Sequence, residues 1–188
     1  MAADYFLRIC DPKGWTEPEN IEGRDSKGGI IIPGESTKVG NKNEIELLSW
    51  SWGLSNPSAG AFGSGASKGR VAFGDFSIMK LTDKATGPLR AACLKGQFLP
   101  GAILSTRRMG QEVGTQSGKP TMFVYFFVVF EGIMVASFSD AGSSGGGIPS
   151  ESLGIRAQKV RVNYRQIVDG KPQGWLPFGW DIMANKSY

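Results

Sequence analysis

The sequence contains no histidine. That absence excludes His-based catalytic triads, histidine metal sites and a histidine general base. Cysteine is almost as scarce, and Cys10 and Cys93 fit no metal-ligand spacing. The N-terminus, MAADYFLRIC, has neither a basic n-region nor a long apolar stretch, so no signal peptide is expected. Free thiols in a reducing cytoplasm then follow as the default. No apolar run is long enough to cross a bilayer as a helix, and no membrane insertion is expected. The remaining enzyme routes are carboxylate pairs or a Ser-Lys dyad, and no spacing favours either. The chain reads as a binding or structural protein with no catalytic residue, no cofactor and no metal.

What is present points to β structure. The 188 residues suit one domain, and 27 glycines lie among β-branched and aromatic residues, the pattern of strands joined by turns and long loops. The net charge of +4 is localised: from Arg156 onward six basic residues face two acids. A basic strand can mark a polyanion site. Here it reads better as a solvated or subunit-facing surface, with no nucleic acid partner. The longest apolar run, Met122 to Phe130, reads as a strand buried on both faces, or on one face and against another subunit. It offers more apolar surface than one small barrel interior needs, which suggests assembly.

Along the chain, DYFLRI (Asp4 to Ile9) is a first strand. A long polar segment follows, with an apolar patch only at Ile30 to Ile32, and its length marks it as functional or mobile. In the next strand Leu48, Trp50 and Trp52 share one face, and Ser49, Ser51 and Gly53 the other. Ile45 and Leu47 break this phase, which predicts a bulge near Leu47-Leu48 or a change of face. RVAFGDFSIMKL forms another strand. DKATGPLRAACLKG is the one convincing helix, with Pro88 in its first turn, a Leu89/Ala92/Cys93 stripe and Gly96 at its end. Four further strands are expected: AILSTRRM, MFVYFFVVFEG, MVASFSD and ESLGIRAQKVRVNYRQI. Asp169-Gly170 then marks a turn, and the tail GWLPFGWDIMANKSY adds a final strand. The fold class is mainly β: strands of this number with one short α-helix indicate a closed or nearly closed β-barrel.

GAFGSGASKG invites a phosphate-loop reading, but Lys68 stands where the third glycine belongs and no helix start follows. The loop is a connection. Trp50 and Trp52 are core anchors, because alternating aromatics on one strand face bury large area. The rival reading is a small-molecule-binding barrel resembling a lipocalin, which would need a pocket lined by both tryptophans. The Ser49/Ser51/Gly53 face is small and polar where long charged side chains are usual, so another body must pass it closely.

These stretches together resemble the haemolysin-coregulated protein (Hcp) family, the tube subunit of the bacterial type VI secretion system. The matching pieces are DYFLRI, GES at Gly34, NEIELLSWSWGLSN, GRVAFGDFSIMKLTDKATGPLRAAC, VASFSDAGSSGG, the ESL…VRVNY strand and FGWDIMANK. The resemblance implies a two-sheet barrel with a short helix, assembling into homo-hexameric rings that stack into a tube. It implies a contractile sheath around the tube, a spike protein at its tip and small effector proteins in its lumen. Export would run from the cytoplasm through that system without a signal peptide, and no enzymatic activity is implied. Ser49, Ser51 and Gly53 would then line the lumen. Asn56, Ser58, Gly60, Phe62, Gly63, Gly65 and Lys68 would belong to a loop reaching the next ring. A phage tail-tube subunit is the related alternative, sharing ring assembly but not effector carriage.

The chain departs from the family pattern in three places. Gly96-Gln97-Phe98 stands where a histidine often follows the helix, and Arg107-Arg108-Met109-Gly110 where Arg-Lys-Ala-Gly is usual. A segment at about 12–33 is extra within the single 1–188 domain. It is expected to project from one barrel end and to be dispensable for folding.

Overall fold

The computed structural model describes residues 3–12, 29–38, 40–56, 71–111, 120–169 and 171–188. Among these, the strands are β1 (Asp4–Ile9), β2 (Ile45–Leu47), β3 (Ser49–Ser51), β4 (Leu54–Ser55), β5 (Ala72–Phe73) and β6 (Phe76–Leu81). The helix α1 (Thr86–Lys95) precedes β7 (Phe98–Gln111), β8 (Pro120–Ala141), β9 (Ser150–Val168), β10 (Lys171–Asp181) and β11 (Lys186–Ser187).

Nine strands form one antiparallel sheet whose path runs β11-β10-β9-β8-β7-β1-β2, with β6 joining β3 to β9 off this path. β4 and β5 make a separate two-stranded ribbon. Among the described residues the fold is mainly β with one helix, and the hydrogen-bonded path ends at β2 and β11 and does not close on itself. One large sheet and a ribbon stand where two sheets were expected.

Leu48 falls between β2 and β3, outside both ladders, and its N–H donates to the Met79 carbonyl at 2.7 Å. β2 pairs with β1, and β3 with β6. Ile45 and Leu47 are buried before this break and Trp50 packs on the core after it, so the inward phase slips by one residue there. This is the irregularity that the conflicting phases predicted.

β8 joins two stretches that read as separate strands. Gly132 lies between them with φ of 59°, in the left-handed region, and the β7 ladder resumes on both sides of it (Gly101↔Glu131, Leu99↔Ile133). The register is unbroken across Gly132 on both neighbours (Glu131↔Lys159 and Ile133↔Ala157 on β9), so the glycine marks neither a turn nor a bulge, and the register shifts of β8 fall instead at Thr106/Arg107 against β7 and at Val135/Ser137 against β9. The main core cluster includes Leu7, Ile78, Leu104, Val128 and Phe130, and α1 adds Leu89 and Ala92. On the opposite face of β7 and β8, Ile103, Val124, Phe127 and Val129 form a second cluster with Cys10. The long apolar strand is therefore covered on both faces within one chain, and its composition alone does not call for a second subunit.

The helix ends as its sequence predicts. Gly96 has φ of 58°, its N–H bonds to the Cys93 carbonyl, and the Gln97 N–H bonds to the Ala92 carbonyl. The end of the 12–33 segment behaves differently from the expectation. Ile32 is buried in the main core and bridges to Ile9, so this end is part of the fold and not a projection. Residues 13–28 lie outside the described residues.

Candidate functional site

Ser49, Ser51 and Gly53 are all exposed. In the β3–β6 ladder Ser49 sits across from Met79 and Ser51 across from Ser77, while Trp50 sits across from the buried Ile78. Trp50 is half-buried and packed between two rings: Phe126 at 5.6 Å and nearly parallel, and Phe76 at 5.7 Å. Trp52 is also half-buried, stacks on Phe73 at 6.1 Å, and donates from Nε1 to the Gly74 carbonyl at 3.1 Å. Both tryptophans pack against the core, but neither is fully enclosed. Asn56 is exposed beside the β4–β5 ribbon. Ser58, Gly60, Phe62, Gly63, Gly65 and Lys68 lie outside the described residues.

β9 carries a fork. On the edge away from β8, residues 150–155 pair with β6 and residues 159–168 lie within the span covered by β10. Between these ladders an apolar cavity of about 320 Å³ opens, lined among others by Trp52, Phe73, Phe98, Ile155, Ile182 and Met183. Trp50 is not in its wall. Arg156 borders the cavity, and its Nε donates to Asp75 at 2.7 Å.

Sequence reasoning missed a buried charge cluster. Lys80 shares a strand face with Phe76 and Ile78 and is fully buried. Its ammonium lies 2.6 Å from Asp83 Oδ1 and 2.7 Å from Glu151 Oε2, and donates to the Leu81 carbonyl and to Thr86 Oγ1. Thr86 Oγ1 donates in turn to Glu151 Oε1 at 2.8 Å. Desolvation pushes the Glu151 carboxyl up, but hydrogen bonds from Lys80 and Thr86, with the Lys80 charge, outweigh it and hold the pKa below its ordinary value. Asp83 accepts the Ala85 N–H at 2.9 Å at the helix entry, and Glu35 accepts the Lys84 N–H at 2.9 Å. Residues from GES, FSIMKLTDKA and ESL, far apart in sequence, thus meet in one latch. A buried lysine on an otherwise core-facing strand was the available signal, since such a charge needs a partner.

A second network ties the 34–44 hairpin to β7. Arg107 Nη1 donates to Asn41 Oδ1 at 2.6 Å, and the buried Asn41 donates to Glu44 Oε2 at 2.7 Å. The basic C-terminal residues are engaged locally: Lys159 lies 3.6 Å from Asp181, Arg161 lies over Tyr188, and Arg165 lies over Trp175. Cys10 and Cys93 are free, and burial pushes the Cys10 thiol up to about 12. Among the described residues no group of three or more His, Cys, Asp or Glu side chains could hold a metal, and no helix is long and apolar enough to cross a membrane.

The family model described as "Type VI secretion system effector, Hcp" matches residues 20–167. Protein hcp1 of Pseudomonas aeruginosa is 31% identical over 187 residues, spanning 98% of each chain. Hcp1 from Salmonella typhimurium superposes with a TM-score of 0.68 at 29% identity, covering 100% of both chains. A solved type six secretion system protein gives 0.76 at 24% identity, also over 100% of both, a likeness of fold. The chain belongs to the Hcp family, secreted structural tube proteins of the type VI secretion system, and is not an enzyme.

Proposed function

We propose that this chain is the repeating subunit of stacked hexameric rings, with Ser49, Ser51 and Gly53 lining a lumen that carries small effector proteins. The observation that carries the reading is a strand with two unlike sides. Its exposed side bears hydroxyls and no large side chain, while its inner side is held by Trp50 between Phe76 and Phe126. Such a wall leaves a bore wide and offers hydrogen-bond donors and acceptors to a passing protein. Near-closure of each barrel fits the same reading. The 45–51 stretch pairs with β1 before Leu48 and with β6 after it, so one broken strand spans both partners.

The loop after β4 would reach the next ring, and its glycines would let its backbone adapt there. A spike protein at the tip and a contractile sheath outside complete the assembly, with export through the system itself. The ligand-barrel alternative asks for both tryptophans in one pocket, and only Trp52 lines the cavity at the fork. Native mass spectrometry tests the proposal: a six-subunit mass with an open ring in electron micrographs is expected. A clean monomer at high protein concentration overturns it.

A further inference from the structure

The sheet changes face at the level of Gly132. β8 meets the core with Val128 and Phe130 before this glycine and with Ile133 and Val135 after it, so its inward side slips by one residue. β9 slips in the same way between Ile155 and Val160, while the ladder between the two strands runs on through Glu131↔Lys159 and Ile133↔Ala157. At this level β6 leaves the edge of β9 and β10 joins it. The apolar cavity of about 320 Å³ lies there.

Core residues make its floor: Phe76, Phe130, Ile155 and Val160 line it and are all buried. Phe98 and Met183, both exposed, stand at its mouth. Apolar cavities take up apolar molecules, because their walls gain dispersion contacts that water does not supply. The volume sits near the lower end of ligand sites, which span about 300–1,000 Å³. At about 30 Å³ for each water-sized group, it holds roughly ten heavy atoms. Polar side chains in the lining are few. Trp52 spends its N–H on the Gly74 carbonyl, which leaves the Gln158 amide and Arg156. Arg156 is the one charged residue of the lining. Its ion pair with Asp75 runs through Nε at 2.7 Å, and its two Nη groups make no ion pair among the described residues. A guanidinium held at Nε keeps its Nη fork, whose paired donors match the two oxygens of a carboxylate.

We infer that this cavity binds a small amphipathic carboxylate, its apolar tail against Phe130 and Val160 and its head group on the Nη fork of Arg156. The order of preference follows from the lining. A neutral alcohol with the same tail keeps the dispersion contacts and loses the charged pair. An alkylammonium brings a like charge to the guanidinium and binds least. Asp75 weakens the attraction for an anion, so its removal should strengthen binding. Every group involved belongs to one chain, and the inference stands apart from the ring reading above.

The test titrates the full chain with decanoate, decan-1-ol and decylamine by isothermal calorimetry. Saturable binding of one decanoate per chain is expected, with decanol about tenfold weaker and decylamine weaker still. Arg156→Gln lies on the surface, so circular dichroism should match wild type. It should bring decanoate down to the level of decanol and leave decanol unchanged. Asp75→Asn should tighten decanoate and leave decanol unchanged. Ala157→Phe, which fills the cavity, should abolish binding of both. No saturable decanoate binding by the wild type overturns the site. Decanol equal to decanoate in the wild type, or decanoate undiminished in Arg156→Gln, overturns the carboxylate assignment. Decanoate undiminished in a folded Ala157→Phe places the ligand elsewhere and overturns the cavity.

Discussion

β9 passes through two unlike environments. Residues 150–155 lie between β8 and β6, and Glu151 is locked there to Lys80 and the start of α1. Residues 159–168 lie between β8 and β10, where one side shows Tyr164 to solvent and the other carries Lys159, Arg161 and Arg165. The first half is held by interactions complete within the chain. The second extends the same sheet face beyond what the described residues cover. One strand is therefore locked at one end and open at the other, and substitutions should separate the two.

Removing the latch should have the largest effect. Lys80→Ala leaves the Glu151 carboxylate buried without its cation, which should cost about 3–5 kcal/mol in urea unfolding followed by tryptophan fluorescence. Replacing the pair together, Lys80→Met with Glu151→Leu, should recover much of that loss. Trp50 bridges the halves, stacking on Phe76 beside the first and Phe126 beside the second. Trp50→Ala should cost about 3 kcal/mol, the low end for a buried aromatic because the ring is half-exposed. Gly132 faces the Gln158 side chain where β9 passes from one environment to the other. Gly132→Ala forces a left-handed conformation on a residue with a Cβ and should cost about 1–2 kcal/mol in the same assay.

Acid should read the first half alone. The Glu151 pKa is lowered in the folded chain, so its contribution is fully present above the ordinary value of 4.5 and lost as pH falls through the folded-state value. The urea midpoint should drop on acidification below that value, and the Lys80→Met/Glu151→Leu variant should lose part of this acid sensitivity. An unchanged acid response in that variant would move the effect to other carboxylates. The smallest effect on stability is expected at Ser51, on the outer face across from Ser77. Ser51→Gln should change stability by less than about 0.5 kcal/mol. In a ring it would place six longer side chains in the bore, and effector co-purification should fall. Unchanged retention would remove Ser51 from the lumen.

Local features of the fold were the legible ones. The Gly96 cap follows from a residue type with one conformational use, and the Leu48 irregularity follows from two strand phases that cannot both hold. Neither β8 as one strand nor the fork in β9 could be read, because a glycine between two apolar stretches fits a turn and an unbroken strand alike until its partner strands are known. The latch was hidden for a related reason. Lys80 meets Asp83 nearby, but Glu151 comes from another strand, and only the fold brings it to 2.7 Å. The motifs that carried the family resemblance, GES, TDKA and ESL, turn out to build this latch. Of the candidate site, the exposure of Ser49 and Ser51 follows the alternation, while the half-burial of the tryptophans depends on where the sheet ends.

Cys10 has a bearing on the protein's life after export. Secreted family members leave a reducing cell for oxidising surroundings, where free thiols are oxidised or paired through their thiolate form. Burial pushes the Cys10 thiol up to about 12, which keeps it in the unreactive protonated form at neutral pH. It is also sealed in the second apolar cluster beside Ile103 and Val129. The chain can cross between the two redox worlds without its covalent state changing at that site, which leaves Cys93 on α1 as the thiol that oxidants can reach.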